Sequence, residues 1–105
     1  MKFHLSYKEK ELINHFRKLK YPAIYKTDRT DNILFIELVD FNVCSLLLNG
    51  EAINPIQYNE ILSEYEKYLK QTDITSLDSY AIKHYDMVNQ IMKMFVKYCN
   101  SKQEL

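Results

Sequence analysis

Apolar residues recur at helical spacing near both ends of the chain and lose that spacing in between. Leu12, Ile13, Phe16 and Leu19 fall three or four residues apart, the mark of one buried helical face. Just upstream, Ser6-Tyr7-Lys8-Glu9 fits a capping box, in which the Ser6 hydroxyl accepts from the Glu9 amide and the Glu9 carboxylate accepts from the cap amide. A helix is expected to start there. Pro22 disfavours helical geometry at Tyr21, so the helix should stop near Lys20.

Beyond Pro22 the pattern turns β-like. Ala23 to Lys26 is short and β-compatible, Thr27 to Asn32 is polar and turn-like, and Ile33 to Phe41 is rich in Ile, Leu, Phe and Val. Ile33, Phe35, Glu37 and Val39 alternate with Leu34, Ile36, Leu38 and Asp40, as in a strand covered on both faces. A further run, Val43 to Leu48, ends in Asn49-Gly50, a pair suited to the positive φ values of a type I′ hairpin turn, and Glu51 to Ile53 then returns. The expectation is an antiparallel sheet of three or four strands over residues 23–53.

Helical spacing resumes at Asn54-Pro55, a good N-cap followed by proline at the first helical position. Tyr58, Ile61, Leu62, Tyr65, Tyr68 and Leu69 form one stripe of a second helix that should reach about Lys70, with Glu60, Glu64, Glu66 and Lys67 around it. Residues 71–75 read as a connection, and Thr75-Ser76-Leu77-Asp78 offers a cap for a third and longest helix starting at Leu77. Its seam is Ala81, His84, Val88, Ile91, Met92, Phe95 and Cys99. The sequence therefore predicts one α+β domain spanning residues 1–105, in the order α-β-β-β-α-α.

Composition narrows the class of function. The chain has 105 residues, 47% of them hydrophobic and 27% charged, which is ordinary for a domain that folds around its own core. No apolar run approaches the ~20 residues of a membrane span, and the N-terminus lacks the apolar stretch of a secretory signal, so a cytoplasmic protein is expected. The two cysteines, Cys44 and Cys99, have apolar neighbours and read as buried thiols. Lys plus Arg and Asp plus Glu both number 14, so the general attraction to nucleic acid that a basic protein has is missing. The charge is nevertheless uneven: residues 1–31 carry eight basic and four acidic side chains, residues 32–80 two and eight, and residues 81–105 four and two.

No motif carries chemistry. His-Glu-x-x-His and Cys-x-x-Cys are absent, and residues 27–32 lack the glycine and terminal glutamate of a calcium loop. A single glycine cannot build a phosphate-binding loop. His4, His15 and His84 read as structural or exposed, and neither a cofactor nor a metal is expected.

What remains is binding. In profile, a small, neutral chain rich in Tyr and Lys and without catalytic motifs resembles the accessory proteins of phages and mobile elements of low-GC bacteria, which implies an inhibitor or regulator that binds a larger host protein. The expected contact is the acidic, tyrosine-bordered second helix, through Tyr58, Glu60, Glu64, Tyr65 and Glu66. The alternative is a small DNA-binding regulator using Lys10, Arg17, Lys18 and Lys20 of the first helix. Met87, Met94, Val96 and Tyr98 widen the apolar surface of the third helix beyond its seam and are expected to form the interface of a symmetric homodimer, cover by flanking helices of the same chain being the competing explanation.

Overall fold

The computed structural model describes residues 4–19, 30–51 and 53–103, and every regular element within them is helical. α1 (Tyr7–Lys18) is followed by α2 (Thr30–Leu38), a π-helical stretch (Val39–Val43) and α3 (Cys44–Asn49), which run on from one another without a break. After a short loop come α4 (Pro55–Gln71), a 3₁₀ turn (Ile74–Ser76) and α5 (Ser79–Gln103).

The expected α+β fold is thus overturned, together with its order α-β-β-β-α-α. Residues 30–49, which include the two expected strands 33–41 and 43–48, form helix throughout, and no strand occurs among the described residues. The proposed strand Ala23–Lys26 lies outside them. The physical reason is visible in the burial pattern. Asn32, Phe35, Ile36, Val39, Asp40, Val43, Cys44 and Leu47 are buried, and their spacing is helical. Ile33, Leu34, Leu38 and Phe41, on the outer side of the same helix, are also apolar and fill the gaps that would have revealed the period.

Gly50 shows a similar inversion. Its φ of 69° and ψ of 28° are left-handed, as the Asn-Gly pair suggested, but the residue caps α3 and its N–H donates to the Leu46 carbonyl. The same backbone freedom that would close a hairpin here ends a helix.

The helix starts are written more legibly. Ser6 Oγ accepts from the Glu9 amide at 3.2 Å while Glu9 Oε1 accepts from the Ser6 amide at 2.8 Å, completing the capping box. Asn54 Oδ1 accepts from the Gln57 amide at 2.8 Å, with Pro55 at the first helical position. At α5 the cap is Asp78, whose Oδ1 accepts from the Ala81 amide at 2.8 Å, so the helix begins at Ser79 and not at Leu77. Asp73 instead caps the intervening 3₁₀ turn.

α5 lies at the centre. α1, the π-helical stretch and α3 pack against it, and α4 packs against α2. Val88, Ile91, Met92 and Phe95 are almost wholly buried, each contributing roughly 1.5–3 kcal/mol of burial free energy. Asn32–Asn49 is long and apolar enough to cross a bilayer, the single such segment among the described residues, but half of it is buried by the other helices. It also carries Asp40, paired with α1. In this compact fold it is a core helix.

Candidate functional site: the groove between the helix 30–49 and α4

The residues expected to bind a partner do not share one surface. Glu60, Glu64 and Glu66 are exposed on α4, but Glu66 lies apart from the groove that Glu60 and Glu64 line. Tyr58 turns inward, its ring 5.6 Å from that of Phe95. The Tyr65 hydroxyl donates to Asn89 Oδ1 at 2.6 Å and its ring stacks at 5.9 Å on Phe35, which binds α4 to both α5 and α2. Burial, with a smaller contribution from Tyr85, raises the Tyr65 pKa. The two tyrosines are internal fasteners, whereas Glu60 and Glu64 face an opening.

That opening is a groove of about 510 Å³ between the helix 30–49 and α4. One wall is Leu38, Phe41, Asn42 and Ser45; the other is Gln57, Glu60, Ile61 and Glu64; Glu51 and Ile53 close one end and Phe95 of α5 reaches the floor. A separate, smaller recess between Leu34, Phe35, Glu64, Lys67, Tyr68 and Gln71 lies between the same pair of helices and shares Glu64 with it. Leu34 is 61% exposed and Phe41 64%, large apolar side chains left in water beside this groove. Sequence reading missed both, because a strand assignment placed them on alternating faces. As helix, Leu34, Leu38 and Phe41 stand at i, i+4 and i+7 along one edge.

Of the basic residues of the alternative reading, Arg17 takes part in an ion pair within the chain. Arg17 Nε donates to Asp40 Oδ1 at 3.0 Å, so part of this guanidinium is engaged within the chain while the side chain stays 38% exposed. Lys10 and Lys18 are exposed on α1, interspersed with Glu11, and Lys20 lies outside the described residues, as do Lys26 and Arg29.

The residues offered for a dimer are largely covered within the chain. Met87, Met94 and Tyr98 are buried and Val96 is half-buried. Tyr98 also donates through its hydroxyl to the Glu51 carbonyl at 2.9 Å. Flanking helices of the same chain therefore cover most of this apolar surface of α5, Val96 staying partly exposed.

Two titratable groups lie deep in the fold, one of them, Cys44, close to the Arg17–Asp40 pair. Cys44 is fully buried, and burial with a further contribution from Asp40 pushes its thiol up to about 12, opposed by Arg17. A thiol held protonated in this way is a poor nucleophile. His84 is also fully buried, stacked on Phe16 with ring centroids 4.8 Å apart, and burial lowers its pKa to about 4. Cys99 is pushed up to about 11 by burial. Among the described residues, no three His, Cys, Asp or Glu side chains come together as a metal site.

Comparison of the chain with protein-family models, with curated proteins and with solved structures found no match.

Proposed function

We propose that this chain is a non-catalytic protein-binding module of the cytoplasm, an inhibitor or regulator of a larger protein, which engages its partner through the groove between the helix 30–49 and α4. The observation that carries this reading is the exposure of Phe41 and Leu34 beside carboxylates in a half-open cleft. Folding leaves large apolar side chains in water at a cost, and where they cluster around a groove with a polar rim they match the anatomy of a protein interface. An aromatic ring at the centre of such a groove is the usual energetic anchor.

The test compares partner capture from a cell lysate by the native chain, by Phe41→Asp and by Lys18→Glu, the last on the exposed side of α1. A partner retained by the native and Lys18→Glu chains and lost with Phe41→Asp supports the groove. Equal retention by all three, or loss only with Lys18→Glu, contradicts it.

A further inference from the structure

We infer that the occupant of the groove is a short cationic amphipathic helix of the partner protein. This rests on the groove being the binding surface, and it follows from the charge and shape of the walls. The thirteen residues around the main cleft include three carboxylates, Glu51, Glu60 and Glu64, and no Lys, Arg or His. Among the described residues Glu64 pairs with Lys67 at 3.1 Å, and both partners are largely exposed, so solvent screens the pair and the negative field of the rim persists. A partner must bring the opposite charge to this rim and apolar groups to the ridge inside it.

The walls select the shape of that partner. Both are helices, and the apolar ridge Leu34, Leu38, Phe41 runs over seven residues, roughly 10 Å at ~1.5 Å per residue. This matches about two turns of a docked helix that presents aliphatic anchors at i, i+3 or i+4, and i+7. No strand edge exists among the described residues to which an extended peptide could add. An anionic membrane surface, the other common home for exposed Leu and Phe, is repelled by the same carboxylates. The basic helix α1 of a second copy supplies cations, but its apolar side chains Ile13 and Phe16 are already buried in its own chain.

The probe is a synthetic fluorescent peptide of about three helical turns, with leucines at that spacing and lysines flanking them. Its anisotropy is followed on addition of the full-length protein. Saturable binding is expected, weakened about tenfold or more by Phe41→Ala. The double variant Glu60→Lys/Glu64→Lys should lose the lysine peptide and gain a version with glutamates in place of the lysines. All these positions are exposed, and unchanged far-ultraviolet circular dichroism confirms that the variants fold. The inference is overturned if the glutamate peptide binds the native chain as well as the lysine peptide does. It is equally overturned if neither variant alters binding, if phosphatidylserine vesicles bind in a Phe41-dependent way in place of the peptide, or if light scattering shows Phe41-dependent pairing of two copies. If the peptide fails while Phe41-dependent capture of a partner persists, the groove stands and the cationic helix falls.

Discussion

Arg17 Nε donates to Asp40 Oδ1 at 3.0 Å, a bond that ties α1 to the π-helical stretch. The stretch is the reason Asp40 can be there. In it the Cys44 amide donates to the Val39 carbonyl, five residues back, and the widened turn brings Val39, Asp40 and Val43 into the core together. The Arg17 side chain keeps 38% of its surface in water and that of Asp40 only 9%. Removing the two partners is therefore not equivalent. Arg17→Ala takes a charge-assisted hydrogen bond from a buried carboxylate and should cost about 1–3 kcal/mol, whereas Arg17 released by Asp40→Asn can turn to solvent and the loss should be smaller. Urea unfolding of both variants at neutral pH measures the difference, and equal losses would show that the pair does not work this way.

His84 makes the fold sensitive to acid. Its pKa falls from 6.5 to about 4 in the folded chain, so above 6.5 neither state is charged and stability is complete. Between those values the unfolded chain binds the proton more readily than the folded one, and stability drops as pH falls, by roughly 3 kcal/mol in all from this residue. Carboxylates add their own pH dependence, so the isolating measurement is the comparison with His84→Phe. That variant should show a flatter loss of stability between neutral pH and pH 4, and an unchanged slope would contradict the assignment.

Cys44 and Cys99 are buried free thiols with pKa values raised to about 12 and about 11. A thiol reagent at mildly alkaline pH should react with neither in the native chain, and with both once guanidinium chloride unfolds it. Fast reaction of either thiol without denaturant would show that the core opens locally.

Gly50 should resist replacement for a backbone reason alone. A Cβ placed there would lie 3.9 Å from the Tyr98 hydroxyl, an ordinary contact, while φ of 69° disfavours any residue with a Cβ. Gly50→Ala should cost about 1 kcal/mol and Gly50→Asn less, because asparagine tolerates the left-handed region better. Thermal unfolding followed by circular dichroism checks the order.

What could be read from the sequence divides along the same physical lines. Ser6 with Glu9 and Asn54 with Pro55 are local devices, complete within four residues, and the structure uses them as read. The stripe of α5 was legible because Lys83, Asp86, Gln90, Lys93 and Lys97 mark its solvent side. The helix 30–49 has no such contrast. Leu34 and Phe41 occupy outer positions that a polar residue would normally fill, and the resulting run of Ile, Leu, Phe and Val imitates a strand. The residues that hid the helix are the ones that make the groove, so misreading the fold and missing the site had one cause. Glu60 and Glu64 could be placed on the exposed side of α4 from the sequence, but the wall opposite them could not.

The most direct test of the groove is to map where a captured partner touches the folded chain, by following backbone amide shifts during titration. The account predicts that the largest changes fall on Leu34, Leu38, Phe41, Ser45, Glu60 and Glu64, the two facing edges of α2 to α3 and α4. Changes concentrated instead on Lys10, Lys18 and the rest of exposed α1, with the groove residues unmoved, would contradict it.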